Sequence, residues 1–318
     1  QRNGAAAIAS GYSVDRFAYA KQGTSVGIVT VQQVSDGPAG FDKSLKLTVT
    51  TVDTSLAATD WYDVSYNIEG NDIAHLKWGT SEAKDVTLSF WVKASVTGTY
   101  SMELRSTLGT QVSYTFDYTV SDTGWNKIEQ TISGAAIGNW NANTSTGIAF
   151  IIPIGTGSNY TTTTTTTWQT GNFNASTSAI NLLATVNATF QITGFQLELG
   201  SVATDFEHRS YGEELALCQR YYEQSPSLSG FSGAKELLAI STGSLGGFHF
   251  LQTKRVAPSI SVYSRSGAVG KVSDMATGGN SASVGINTIG TTACHYVNGS
   301  GFVVGHLYEA NYTADAEL

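Results

Sequence analysis

Between Gly194 and Pro226 the chain reads GFQLELGSVATDFEHRSYGEELALCQRYYEQSP and changes its periodicity once, from strand to helix. Phe195, Leu197 and Leu199 alternate with Gln196 and Glu198, the period-2 pattern of a strand with one buried face. Gly200 ends that pattern. Ser210 stands three residues before Glu213, the spacing of a capping box, so a helix is predicted from Tyr211. Glu213 and Glu214 suit the positive end of its dipole, Arg220 suits the other end, and Leu215, Cys218 and Tyr222 repeat on one face. The reading runs this helix to Glu223 and stops it before Pro226. The stretch therefore divides the chain into residues 1–205, a connector with a short helix at 206–226, and residues 227–318.

Outside that stretch the sequence is strand-like. SVDRFAYA, VGIVTVQQV, SLKLTVTTV, WYDVSYNIEG, VTLSFWVKAS, YSMEL, VSYTFDYTV, NKIEQTI and GIAFIIPI follow one another to residue 154, separated by turn-forming clusters such as SDGPAG at 35–40. NDIAHLKWG at 71–79 holds one or two helical turns ending on a glycine. Strands joined by turns, without alternating helices, predict an all-β fold, an antiparallel jelly-roll sandwich, for the first part. The layout resembles that of galactose-binding-like carbohydrate modules. After Pro226 seven short runs, from ELLAI to GFVVGHLYEA, predict a second, small β domain, with the concluding YTADAEL at the surface or on an edge strand. A chain with 34 glycines and only 13% charged residues agrees with strands and turns. Residues 1 to 11 are expected to form an arm.

The segment LELGSVATDFEHRSYGEELALCQRYYE, with QRNGAAA near the start, IEGNDIAHLKWGTSEAKDVTLSFWVKAS at 68–95 and the closing YTADAEL, resembles chains of tailed bacteriophages, marine ones especially. These are tail-fibre or virion-fibre structural proteins. The resemblance implies an oligomeric protein of the virion surface, with other virion proteins as partners, and it carries no catalytic residue.

Several function classes find no support in the residues. The net charge is −8, from 25 acidic and 17 basic residues without a basic run, so nucleic-acid binding is not expected. No apolar run approaches the roughly 20 residues that cross a bilayer, and no membrane insertion is expected. The five histidines and two cysteines, Cys218 and Cys294, have no metal-ligand spacing, so no cofactor or His/Cys metal site is expected; a calcium tying loops through carboxylates and carbonyls is the alternative, without a DxDxDG pattern to mark it. Neither GxSxG nor GxGxxG occurs. Asp60, Asp63, Glu69, Asp72, Glu103 and Asp117 could in principle supply paired carboxylates for glycoside cleavage, but turns and solvent faces account for them. The chain is read as non-enzymatic.

The aromatic residues are more informative. Sugars present C–H faces that stack on rings, and hydroxyls that bond to amides and carboxylates. Trp61, Tyr62, Trp78 and Trp140 combine such rings with Asn, Asp or Gln neighbours. Tyr160 and Trp168 bracket a run of seven threonines, Thr161–Thr167, in a stretch from 155 to 178 that lacks alternation. That stretch is predicted to be a long exposed loop. These six aromatics are the candidate glycan-binding residues, each with core or turn packing as its competing account. Trp91 and Trp125 are assigned to core packing.

The leading expectation is a phage virion structural protein contacting host cell-surface glycans. The alternatives are a carbohydrate-binding module of a secreted polysaccharide-degrading enzyme and an inert capsid or tail decoration protein. One module stacking one or two rings binds weakly, so several copies are needed for adhesion. A homo-oligomer, a trimer in particular, is expected, with Leu217 and Tyr221 as candidate contacts on the exposed helix face.

Overall fold

In a computed structural model the protein is described over residues 2, 10–24, 26–230, 233–281 and 283–318. Most of the expected N-terminal arm, including nearly all of QRNGAAA, lies outside the described residues. The chain divides into two compact units, residues 2–208 and 209–318.

The first unit is built of strands in chain order. They begin with β1 (Gly11–Val14), β2 (Phe17–Gln22), β3 (Ile28–Val34), β4 (Ser44–Thr51) and β5 (Trp61–Glu69). A single helical turn, α1 (Gly70–Ile73), runs into a 3-10 turn at Ala74–Leu76. Lys77, at φ 54°, closes that turn in the left-handed region, two residues before the expected glycine. Next come β6 (Val86–Ala94), β7 (Gly98–Arg105), β8 (Val112–Val120), β9 (Asn126–Ile132) and β10 (Thr146–Thr156). Three short strands, β11 (Thr161–Thr162), β12 (Trp168–Thr170) and β13 (Ala175–Ser176), precede the long β14 (Thr189–Leu199).

Two sheets face each other. One has the order β3-β4-β14-β6-β9, the other β1-β2-β5-β10-β7-β8-β12. Taken in chain order, β4 through β10 and then β14 are eight strands that alternate between β4-β14-β6-β9 and β5-β10-β7-β8, except that β7 and β8 form a hairpin within one sheet. That is the double Greek key of a jelly roll. The core lies between the sheets and follows the alternation: Leu45, Leu47 and Val49 from β4, Leu88, Phe90 and Val92 from β6, and Tyr62 and Val64 from β5. Phe116 from β8 and Phe150 and Ile152 from β10 complete it. Each such side chain contributes about 1.5–3 kcal/mol on leaving water. Trp91 lies opposite to expectation: Phe90 and Val92 take the core face of β6, so Trp91 points outward and is half-buried. Trp125 is also half-buried, with the Lys93 ammonium 5.8 Å from its ring centroid.

The second unit opens with α2 (Tyr211–Gln219). Its capping box forms as the spacing predicts. The Glu213 amide donates to Ser210 Oγ at 3.3 Å, and the Ser210 amide to Glu213 Oε2 at 3.0 Å. The helix is shorter than the run to Glu223, because Tyr222–Gln224 forms β15 and its backbone is claimed by a sheet. The remaining strands are β16 (Lys235–Ser241), β17 (Ser244–His249), β18 (Ser259–Tyr263), β19 (Ser273–Asp274), β20 (Gly285–Ile289), β21 (Ala293–Asn298) and β22 (Leu307–Asp315). YTADAEL is not an edge: β22 pairs with β15, β16, β18 and β19, and buries Tyr312 and Ala314. Tyr221 is likewise no surface contact, being 8% exposed, whereas Leu217 is 48% exposed. A buried pair, Lys254 and Glu223 at 2.6 Å, sits beneath the sheet.

Candidate functional site

The seven-stranded sheet has a second, outward face. Because Tyr62 and Val64 point into the core, Trp61, Asp63, Ser65 and Asn67 of β5 point away from it. The same alternation places Ser101, Glu103 and Arg105 of β7 and Ser113, Thr115 and Asp117 of β8 on that face. Much of this face is not open to solvent. Residues 157–181, which take in most of the 155–178 stretch expected to be an exposed loop, lie across it as a strap.

Backbone and side-chain bonds fix the strap. β11 and β13 form a two-stranded parallel ribbon, with Thr161 beside Ala175 and Thr162 beside Ser176. β12 extends the sheet along β8, with Trp168 opposite Tyr114. The threonine run closes the turn between these pieces, where the Thr166 amide donates to the Thr115 carbonyl at 2.7 Å. Three alternate strap residues reach down to the sheet. Asn172 accepts from Arg105 Nη1, Asn174 Nδ2 donates to Asp63 Oδ2 at 3.1 Å, and the Ser176 amide donates to Ser101 Oγ at 3.0 Å. Thr115 Oγ1 donates to the Phe173 carbonyl at 2.6 Å. Polar groups on the outer face thus bond the strap's backbone, which in an exposed loop would bond to water.

Beneath the strap is a pair of acids. Asp63 is 4% exposed and Glu103 is not exposed at all. Glu69 is buried as well, so turns and solvent faces do not account for three of the six carboxylates, whereas the buried Asp60 does serve turns. The Asp60 carboxylate accepts the Thr24 amide at 2.9 Å and the Ala57 amide at 3.0 Å, tying two turns together. Burial pushes Asp63 up to about 7, opposed by the Arg105 guanidinium and reinforced by Glu103. Burial also raises Glu103, again opposed by Arg105, whose Nη1 is 3.5 Å from Glu103 Oε2. Ser113 Oγ, with a single proton, lies 2.5 Å from Glu103 Oε1 and 2.7 Å from the Gly171 carbonyl. Both contacts are bonds when Glu103 is protonated and donates one of them. Asp63 and Glu103 thus share the Arg105 guanidinium beneath the strap, with burial favouring the protonated form of each.

At one end the strap leaves an opening. A cleft of about 240 Å³ lies between the strap and the sheet, lined by Ser101, Thr156, Ser158, Thr161, Thr177 and Asn181 among others. No charged residue lines it. Trp61 is the cross-strand partner of Thr156 and also of Gln22, and the Gln22 side-chain amide donates to the Tyr160 hydroxyl at 3.3 Å. Trp61 and Tyr160, both partly exposed, thereby come to the same end as the cleft. Gly157 makes the corner possible, since a Cβ there would meet the Ala57 carbonyl oxygen at 2.1 Å.

The other candidates lie elsewhere. Tyr62 is 0% exposed, a core ring whose hydroxyl donates to the Gly27 carbonyl at 2.9 Å. Trp78, Trp140 and Trp168 form one cluster, with centroid distances of 4.8, 5.2 and 5.4 Å and interplanar angles of 69–85°. Trp78 is 7% exposed. Their indole N–H groups donate to backbone carbonyls, Trp78 to Lys84 at 2.8 Å, Trp140 to Ile137 at 3.1 Å and Trp168 to Ser133 at 2.7 Å. Edge-on packing and occupied donors make this cluster a clamp on three loops. Among the described residues no group of three or more His, Cys, Asp or Glu side chains is placed to hold a metal ion.

The outer-face acids were named from the sequence, but their burial and the strap that covers them carry no motif. A signal for them exists in GIAFIIPI: residues Gly147 to Gly155 of β10 are buried without alternation, as a strand covered on both faces is.

No protein-family profile matches the sequence, and no curated protein matches it. Among solved structures, the enzymatically active domain of tailspike protein 4 of bacteriophage CBA120 is similar over 58% of this chain and 19% of that one. The TM-score is 0.34 and the identity 16%. The family 11 carbohydrate-binding module of the cellulosomal cellulase Lic26A-Cel5E of Clostridium thermocellum is similar over 60% and 91%, at TM-score 0.31 and 11% identity. The xylan-binding CBM22-1 domain of Paenibacillus barcinonensis Xyn10C is similar over 58% and 87%, at TM-score 0.30 and 14% identity.

Proposed function

We propose that the chain is a non-enzymatic structural protein of a tailed-phage virion, a fibre or tail-fibre segment whose jelly roll contacts host cell-surface glycans. The observation that carries the glycan reading is the meeting of two partly exposed rings, Trp61 and Tyr160, with a cleft lined by hydroxyl and amide groups. Rings supply stacking faces, and hydroxyls and amides supply the bonds that orient a sugar. The virion reading rests on the resemblance of the 197–223 segment and the other shared motifs to phage fibre chains. The non-enzymatic reading is supported by the carboxylates: Asp63 and Glu103 lie beneath the strap, and Asp60 is engaged by backbone amides.

Assembly into a homo-oligomer belongs to the same proposal. In the second unit the outward face of β16 carries Leu238 and Ile240, 49% and 51% exposed, and Leu238 lies opposite the exposed Leu307 of β22. Such a stripe is what a neighbouring copy would cover.

The test of the glycan reading is an array of bacterial surface polysaccharides probed with the intact chain, Trp61→Ala and Tyr160→Ala. Reproducible binding lost at least tenfold in both variants, with unchanged thermal unfolding, supports it. Absence of binding to every glycan, or binding indifferent to both rings, overturns it. Light scattering tests assembly, and a folded monomer at all concentrations would remove the oligomer.

A further inference from the structure

The cleft at the end of the strap has a chemical character more specific than sugar binding in general. Its lining residues include Ser101, Thr156, Ser158, Thr161, Ser176 and Thr177, which carry hydroxyls, and Asn181, which carries an amide. Thr156 Oγ1 is buried and has no hydrogen-bond partner among the described residues. A buried hydroxyl without a partner costs free energy unless a ligand or water satisfies it. Nothing cationic lines the walls.

Acids lie directly behind this neutral lining. Asp63 is the cross-strand partner of Pro153, a residue of the cleft floor. Asp117 Oδ1 accepts the Ser101 hydroxyl at 2.6 Å, and Glu103 is the next outward residue after Ser101 on β7. Arg105, on the same face of β7, is turned to Glu103 and Asn172. A carboxylate entering the cleft would lose its water and find no cation among the lining residues. At about 240 Å³ the cleft is also smaller than the roughly 300–1,000 Å³ of sites that enclose drug-sized ligands, which suits one ring.

Resting on the glycan reading above, we propose that this cleft receives a single uncharged, hydroxyl-rich sugar residue and rejects uronic and sialic acid residues. The ring enters between the strap and β10, its hydroxyls bond to the hydroxyl and amide groups of the walls, and the adjoining residue of the glycan meets Tyr160 and Trp61. The threonine-rich strap is then one wall of the site, held in place by Asn172, Asn174 and Ser176.

The experiment is a chemical-shift titration of the intact chain at millimolar ligand, with a neutral oligosaccharide and its uronic-acid counterpart of equal length. The variants are Thr177→Trp and Ser158→Trp, which fill the mouth from exposed positions, and Trp61→Ala on the rim. The expected result is binding of the neutral ligand, at least tenfold weaker binding of the acidic one, and at least tenfold loss in both mouth variants. Neutral binding that survives both mouth variants but is lost in Trp61→Ala overturns the cleft and leaves surface glycan contact standing. Preference for the acidic ligand overturns the uncharged class alone. Binding of neither ligand, together with a blank array, overturns cleft and glycan reading together.

Discussion

Asn174 and Asp63, 111 positions apart in the chain, meet through a single buried hydrogen bond of 3.1 Å from Nδ2 to Oδ2. The bond joins the strap to the outer face of the seven-stranded sheet, and it places an amide donor on an acid that burial holds up to about 7. Its consequence is a pH dependence with a definite sign. The unfolded acid titrates near 3.8 and the folded one near 7, so between those values the folded state keeps a proton that the unfolded state has lost. Stability from this group is fully present below about 4, falls by about 1.4 kcal/mol per pH unit through that window, and is constant above about 7. Urea unfolding of the wild type and Asp63→Asn between pH 4 and 8 checks it. The difference between the two curves should have this slope, and a flat difference would remove the buried proton.

The tryptophan cluster makes a prediction about stability. Trp168 touches Trp78, Trp140 and Tyr114, and its indole N–H holds the Ser133 carbonyl. Trp168→Ala should therefore cost about 3 kcal/mol, the lower end for removing a large aromatic from a packed site, since the ring is partly exposed. Tyr160→Ala, at the rim of the cleft, should cost under about 1 kcal/mol, as surface substitutions do. Equal losses in denaturant melts would contradict the division between clamp and binding ring.

In the second unit the buried ion pair sets the largest single-residue effect. Lys254 Nζ is 2.6 Å from Glu223 Oε2, it also donates to the Gln219 carbonyl, and both side chains are wholly buried. Glu223 accepts the Leu251 amide at 3.0–3.1 Å and the Tyr312 hydroxyl besides. Lys254→Met leaves a carboxylate without its cation and should destabilise by about 3–5 kcal/mol. Lys254→Met with Glu223→Gln should recover part of that loss, and calorimetry on the three proteins would read the coupling.

The helix cap offers a smaller effect. Ser210→Ala and Glu213→Ala each remove one half of the reciprocal bonds at the start of α2, and each should cost about 1 kcal/mol. Helical protection measured by amide exchange over 211–215 should fall in both. No change in either variant would mean that packing alone holds this end.

What was legible in the sequence was local. Alternation in VTLSFWVKAS and SLKLTVTTV reports which side chains enter a core, because a strand's geometry repeats every two residues whatever it packs against. Ser210 and Glu213 are equally local, three positions apart on one turn. The all-β class and the capping box follow from such short-range terms.

Tertiary structure decided everything that depends on a partner distant in the chain. Tyr221 points inward because β22 returns from the far end of the chain to pair with the strand that follows it. Trp78, Trp140 and Trp168 read as three separate polar-flanked rings, and folding brings them within 5.4 Å of one another. The threonine run has no periodicity of its own. It is ordered because Ser101, Asp63 and Arg105 on the sheet below offer hydrogen bonds to Ser176, Asn174 and Asn172, and hydrogen bonds between segments far apart in sequence leave no pattern in either. The same physics placed Trp61 and Tyr160 at one end of the outer face, where the chain by itself offered only two aromatic residues 99 positions apart.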